Sequence, residues 1–116
     1  MAFANGPQYG AGAVLNPGAK LNDGRMEVVI FEDAPFLETV AIAPRLFVGG
    51  IDRSRRYRRI AVEGAVLSAR RPLAHHRDGE PEPEAVRLEV KLLPKALRVL
   101  VPRATAEDPA GPFVQG

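Results

Sequence analysis

Two short turns carry carboxylates in arrangements that could do chemistry. Residues 20–25 (KLNDGR) form a tight turn with one acid, Asp23. A carboxylate beside carbonyl oxygens can bind a hard cation such as Mg²⁺, which prefers oxygen ligands and keeps several waters. Residues 78–80 (DGE) place two acids two positions apart, and such a carboxylate could accept a proton from a substrate hydroxyl. Asp-Gly pairs are also typical of plain turns between strands, so each motif has this simpler interpretation as well.

Arginines are concentrated in the middle third of the chain. Five of them lie close together, at Arg53, Arg55, Arg56, Arg58 and Arg59. A basic patch can hold phosphate or an anionic membrane surface, and it can also follow a nucleic-acid backbone. The formal net charge is only +2, which favours instead a solvated strand face with counter-charges elsewhere. Aromatic residues make up 6% of the chain, too few for a base-stacking platform, so we expect no nucleic-acid partner.

Several classes of site are excluded by the composition. Cysteine is absent from the sequence, which rules out a disulfide scaffold, a thiolate metal centre and a cysteine nucleophile. The two histidines, His75 and His76, are adjacent and would point to opposite faces of a strand, so a zinc site is not expected. No apolar run approaches the roughly 20 residues that cross a bilayer. No signal peptide is expected either, and the predicted location is the cytoplasm.

A β-rich scaffold must position these features. The 116 residues fit one domain, and 11 Gly plus 11 Pro indicate many turns. Apolar residues three and four apart predict one helix over 36–47, interrupted near Ala43 by Pro44. The expected fold is mostly β, an antiparallel sandwich or barrel-like domain of six to eight short strands, with a flexible tail over 103–116. The predicted strands lie at 13–15, 26–31, 57–62, 65–70, 73–77, 85–92 and 97–101.

Four segments occur together in order, at 4–12, 17–24, 78–81 and 93–102. Their sequences, ANGPQYGAG, PGAKLNDG, DGEP and LPKALRVLVP, together resemble the C-terminal domain of the diacylglycerol kinase and sphingosine kinase-like lipid kinases, particularly the bacterial members. The resemblance covers about residues 3–102. It implies an antiparallel β-sandwich, incomplete at its N-terminus, and phosphoryl transfer from ATP to the hydroxyl of a lipid such as diacylglycerol.

The resemblance also implies roles for particular residues. In the Mg²⁺ loop of the family an Asp side chain and two backbone carbonyls bind the ion, which corresponds here to Asp23, Lys20 and Arg25. The catalytic acid of the family corresponds to Glu80 or Asp78, and either can be the general base. The predicted helix and the arginines after it would face anionic lipid, which gives peripheral contact with the inner face of the membrane.

The nucleotide site of the family, a Gly-Gly-Asp-Gly motif on a separate domain, does not occur in this sequence. We therefore expect the isolated chain to be inactive, with ATP held by a nucleotide-binding domain supplied in cis or in trans. A missing first strand would leave an open sheet edge, which favours a homo-oligomer paired through that edge. The alternative function is a stand-alone β-domain that binds anionic lipid or phosphate through its arginine cluster.

Overall fold

A three-stranded antiparallel sheet forms around one buried strand. The computed structural model describes residues 1–115. Strand β2 (Met26–Phe31) lies at the centre of this sheet, between β1 (Ala2–Ala4) and β3 (Tyr57–Val62). Apolar and β-branched side chains favour β2 as a strand, and Val29 at its middle is fully buried. The predicted bounds of β2 and β3 are confirmed, whereas the sequence pattern does not indicate β1.

A long hairpin forms the second sheet and pairs β4 (Gly64–Arg77) with β5 (Glu80–Lys91). Asp78 and Gly79 form its two-residue turn, with φ angles of +49° and +89°. Hairpin turns of this kind need positive φ at both central residues, which Asp and Gly tolerate better than most. The turn predicted from the Asp-Gly pair is therefore confirmed.

Strand β4 is irregular near its middle. Its pairing with β5 shifts register between Ser68 and Leu73, and again just after Leu73. Pro72 lies in this stretch and has no N–H to donate to the ladder, which accounts for the interruption. One bulged strand thus replaces the two separate strands expected at 65–70 and 73–77.

The connection between β2 and β3 is helical. Helices α1 (Phe36–Ile42) and α2 (Arg45–Val48) are separated at Pro44, where the sequence predicts a break. A single 3-10 turn, Ile51–Arg53, follows before the chain enters β3. None of the helices within residues 1–115 has both the length and the apolar character needed to cross a membrane.

The buried core of the described chain is small. Its apolar members are Ala19, Met26, Val28, Val29 and Ile51. The fully buried polar residue is Asn16, whose amide donates to the carboxylate of Glu27 at 2.9 Å. The predicted fold class is confirmed, since antiparallel strands dominate, although residues 1–115 contain five strands rather than six to eight.

Residues 97–101 are not a strand, so the prediction of a final strand there is wrong. Leu97 is 80% exposed and Leu100 is fully exposed. Apolar residues with β propensity form a strand only where a neighbouring strand supplies hydrogen bonds and packing, and the described chain offers none here. The short strand expected at 13–15 is likewise reduced to an isolated bridge between Gln8 and Val14.

The segment after residue 102 lies against the body of the chain. It begins with a short helix, α3 (Arg103–Ala106), and then runs along the turn at 20–25, where the Leu21 N–H donates to Pro112 O at 2.7 Å. The 20–25 turn thus supplies hydrogen-bond partners to this segment, and the flexibility expected from its Pro and Gly content stays a prediction. Gly116, the last residue of the predicted tail, lies outside the described residues.

Candidate functional site

The turn at 20–25 presents one carboxylate to solvent immediately before β2. One oxygen of the exposed Asp23 side chain accepts the Arg25 N–H at 2.9 Å, which closes a local turn. Gly24 stands between them with a φ of +75°, a conformation that favours glycine. The second carboxylate oxygen makes no hydrogen bond within residues 1–115, so it is available to a cation.

The donor set of this turn suits Mg²⁺. The ion is usually held by one or two carboxylates together with other oxygens, and it retains several waters. Asp23 offers the carboxylate, and the carbonyls of Lys20 and Arg25 are the further oxygens expected for the turn. Within residues 1–115 no group of three or more His, Cys, Asp or Glu side chains could hold a metal. An ion bound here would therefore depend on one carboxylate, backbone oxygens and water.

The C-terminal segment holds the 20–25 turn from one side. The Lys20 ammonium donates to the Gly111 carbonyl and, at 3.3 Å, to the Pro109 carbonyl. The side chain of Asn22 makes two bonds to Val114, donating to its O at 3.3 Å and accepting its N–H at 2.6 Å. The positive charge of Lys20 is thus engaged by backbone oxygens rather than by the neighbouring carboxylate.

The second set of acids lies at the tip of the β4–β5 hairpin. Asp78 is in the turn, and Glu80 is the first residue of β5, opposite Arg77. Both carboxylates are exposed, and neither has a hydrogen-bond partner within the described part of the chain. Arg77 pairs instead with Glu82, at 2.5 Å. Both tip carboxylates are therefore open to solvent, and their contacts do not distinguish one from the other.

A tyrosine from the N-terminal turns contacts this hairpin tip. The Tyr9 hydroxyl lies 2.7 Å from His76 Nε2, and the two ring centroids are 6.0 Å apart. The other ring nitrogen, Nδ1, accepts the Gly79 N–H at 3.2 Å. Through His76, Tyr9 is therefore connected to Gly79, the residue between Asp78 and Glu80.

The same N-terminal segment also touches the 20–25 turn. A Cβ built on Gly6 would lie 2.9 Å from Leu21 Cδ2, so the backbone of Gly6 packs closely on that side chain. Three residues of chain span at most about 11 Å, which limits the distance between the contacts made by Gly6 and Tyr9. The structure thus connects the two acidic turns through one short segment, residues 6–9.

Two arginines of the predicted patch are paired with glutamates. Arg56 donates to Glu38 of α1 at 2.7 and 2.8 Å, and Arg58 pairs with Glu32 at 3.0 Å. The hydrogen bonds from Arg56 hold the pKa of Glu38 below its ordinary value of 4.5. These pairs connect α1 and the segment after β2 to the start of β3. The charges of Arg56 and Arg58 are therefore paired with glutamates of the same chain.

A third arginine is also occupied. Arg59 donates to Pro17 O at 2.7 Å and to Asn16 Oδ1 at 3.2 Å. Arg53 and Arg55 are exposed and form no ion pair within residues 1–115. The five clustered arginines therefore meet different partners, since Arg53, Arg55 and Arg56 precede β3, while Arg58 and Arg59 are successive strand residues that face opposite sides. Two arginines remain available to an external anion.

Some contacts near the acidic turns were outside the reach of the sequence predictions. The Tyr9–His76 pair joins positions 67 apart, and the Asn22–Val114 bonds join positions 92 apart. Neither has a local signal, since each depends on how the chain returns to its own N-terminal turns. The bond from Gly79 to His76 spans only three positions, so both partners lie within the hairpin that the Asp-Gly pair predicts.

Comparison with known proteins places the sequence of this chain in a family. Residues 1–101 match the family described as YegS C-terminal NAD kinase beta sandwich-like domain. Two relatives, each named "Probable lipid kinase YegS-like", come from Xanthomonas euvesicatoria pv. vesicatoria (strain 85-10) and Xanthomonas axonopodis pv. citri (strain 306). Each is 31% identical to the chain over 106 residues, an alignment that covers 88% of the chain and 33% of the relative.

The chain spans about a third of the length of these curated relatives. No solved structure matches it. The family match extends over nearly the same residues as the lipid-kinase resemblance of the four sequence segments, and it confirms that resemblance. The chain belongs to the family of YegS C-terminal NAD kinase beta sandwich-like domains.

Proposed function

We propose that the chain is the lipid- and metal-binding part of an ATP-dependent lipid kinase, which phosphorylates the hydroxyl of a diacylglycerol-like lipid. The observation that carries this proposal is the connection of two exposed acidic turns, 20–25 and 78–80, through residues 6–9. Phosphoryl transfer needs a cation near the phosphates and a group that orients or deprotonates the acceptor hydroxyl. The names of the two Xanthomonas relatives support the same reaction class.

In this proposal the two turns have different roles. Asp23, with the carbonyls of Lys20 and Arg25, would hold Mg²⁺, which when bound neutralises phosphate charge. Glu80 or Asp78 accepts the proton of the lipid hydroxyl. The lipid oxygen forms a bond to the γ-phosphorus of ATP while the bond to the ADP oxygen breaks, which yields a phosphorylated lipid and ADP.

The nucleotide would be held by a second domain, supplied in cis or in trans. Residues 1–116 contain neither a Walker-type loop nor a Gly-Gly-Asp-Gly motif. With Mg²⁺, ATP and diacylglycerol, we propose that this chain by itself forms no phosphatidic acid, and that adding the nucleotide-binding domain produces turnover. We also propose a cytoplasmic location and self-association through an outer edge of the three-stranded sheet, where β1 and β3 are the outer strands.

Replacing Asp23 by Asn should weaken Mn²⁺ binding to the chain by about 10–100-fold or more, since even partners of ligands commonly contribute that much. The amide oxygen can still accept the Arg25 N–H, so the turn should persist while its charge is lost. The measurement is the free Mn²⁺ signal in electron paramagnetic resonance during titration of the chain, with Mg²⁺ as competitor. Asp52→Asn, at an exposed acid of the 3-10 turn, is the matched control and should bind as the wild type does. Equal binding by the Asp23 and Asp52 variants would remove the 20–25 turn as the metal site.

A second candidate function, binding of anionic lipid by the isolated domain, is favoured by exposed apolar and basic side chains close together in the sequence over residues 47–55. Phe47 is 63% and Val48 82% exposed, and the exposed Arg53 and Arg55 follow within a few residues. Apolar side chains beside arginines suit the boundary between acyl chains and anionic headgroups. This function requires neither a metal nor a nucleotide, whereas the proposed kinase reaction requires both.

Replacing both Arg53 and Arg55 by Ser should weaken binding to phosphatidylserine vesicles by about 30-fold, from about 1 kcal/mol for each basic residue near an anionic surface. Co-sedimentation with vesicles measures the effect. The Arg70→Ser, Arg71→Ser double variant removes the same charge from an exposed stretch of β4 and should bind nearly as well as the wild type. An equal loss in both variants would show that total charge, rather than the side chains of residues 47–55, determines binding.

A further inference from the structure

His76 makes two hydrogen bonds that together determine which ring nitrogen carries the proton. The Gly79 N–H can only donate, so Nδ1, at 3.2 Å, must be the acceptor and is unprotonated. The proton of the neutral ring is then on Nε2, which donates to the Tyr9 hydroxyl oxygen at 2.7 Å. The imidazole thus bridges the tyrosine to the backbone of the hairpin tip, between Asp78 and Glu80.

Tyr9 is itself held at a defined place. Its N–H donates to Ala13 O at 2.7 Å, and the Val14 N–H donates to Leu46 O of α2 at 2.7 Å. The carbonyl oxygen of Pro7 accepts the backbone N–H groups of residues 15 and 16, each at 3.1 Å. A side chain on such a closed turn can act as a fixed point for the element that it contacts. The hairpin tip is held by the pairing of Arg77 with Glu80, and within the described residues the side chains of its two acids make no hydrogen bond of their own.

The segment that carries Tyr9 also borders the 20–25 turn. Residues 6–8 and 18–21 line the same open groove, and Gly6 packs on Leu21. A continuous set of contacts therefore runs from Leu21 through residues 6–9 to His76 and Gly79. It includes no residue to which the proposed reaction assigns a catalytic or ligand role.

We propose that Tyr9 and His76 are positioning residues that hold the acidic tip, residues 78–80, beside the 20–25 turn. The inference rests on the proposed function for the meaning of the two turns, but its geometry can be tested without metal, nucleotide or turnover. Because the pair joins side chains rather than backbone ladders, removing it should let the tip end of the paired β4–β5 hairpin move away from residues 6–9.

The test uses nuclear magnetic resonance of the whole chain. The sequence has no cysteine, so a nitroxide can be placed at a single Arg25→Cys site, where the exposed side chain has no ion pair within residues 1–115. In the otherwise unchanged protein the label should broaden the Gly79 amide signal. Tyr9→Phe keeps the ring and removes only the hydroxyl, and it should abolish most of that broadening. His75→Asn, at the neighbouring histidine, is the control and should leave the broadening intact.

Unlabelled protein supplies two further measurements. The nitrogen shifts of His76 should show the Nε2–H form, and the Gly79 amide should exchange about fivefold faster in His76→Ala, as expected for loss of one net hydrogen bond. In His76→Asn the shorter side chain can still accept the Gly79 N–H but cannot reach Tyr9, so exchange should stay slow while the broadening falls.

Either of two results would overturn the inference: the opposite tautomer of His76, or a Gly79 signal equally broadened in the wild type and in Tyr9→Phe. Failure of Mn²⁺ binding at Asp23 would instead count against the proposed function and leave these measurements unaffected.

Discussion

In the proposed phosphorylation of a lipid, removing the charge of the hairpin-tip acid that acts as the base should lower kcat by about 10²–10⁴-fold, the range typical of a general base. Glu80→Gln and Asp78→Asn each replace a carboxylate by an amide of nearly the same shape. Asparagine also tolerates the φ of +49° found at position 78, so the turn should persist. The measurement is the rate of phosphatidic acid formation by the chain assembled with its nucleotide-binding domain, at saturating ATP and Mg²⁺.

The two substitutions distinguish the two possible bases. The variant that lacks the proton-accepting carboxylate should show the full loss in kcat. The other variant should show a smaller loss, caused only by the removal of a nearby negative charge. Glu84→Gln changes the net charge equally at an exposed position of the same strand, and it should retain the wild-type rate. Wild-type rates in both tip variants would exclude the hairpin tip as the source of the base.

The hairpin could be predicted because its determinants are close together in the sequence. The Asp-Gly pair fixes the turn, and alternation of apolar and charged residues over 85–92 indicates β5. The strand also begins earlier than the alternation does, at Glu80, and includes Pro81 and Pro83. Prolines are tolerated there because β5 pairs with one strand only within residues 1–115. A backbone N–H on the unpaired side of β5 makes no hydrogen bond to a neighbouring strand, so a proline at such a position removes none.

The site was predicted less completely than the fold. The sequence shows that arginines are clustered, but it does not show that Glu32 and Glu38, from the connection before β3, take up two of them. It places acids in two turns, but not the contact of Tyr9 with His76 that relates those turns in space. Long-range pairing of this kind depends on the whole topology, whereas turn chemistry and strand alternation depend on a few neighbouring residues.

Replacing Ile51 by Ala should lower the free energy of unfolding by about 2–5 kcal/mol, the usual cost of truncating a buried isoleucine. Ile51 is 1% exposed and follows Gly49 and Gly50, whose φ values of +92° and +88° let the chain turn before the 3-10 segment. Few other apolar side chains are buried in the described chain, so Ile51 is a large share of its core. A loss of this size is a large part of the 5–15 kcal/mol typical of whole domains.

Urea unfolding followed by circular dichroism measures this effect, and Ile60→Ala on β3 is the matched control. Ile60 is 52% exposed, so the same change in side chain should cost no more than about 1 kcal/mol, mostly through lower β propensity. Equal losses in the two variants would show that Ile51 does not lie in a shared core. A large loss confined to Ile51 would instead show that the turn after α2 is anchored from inside. The exposed Arg53 and Arg55 next to it would then be presented from a fixed part of the fold.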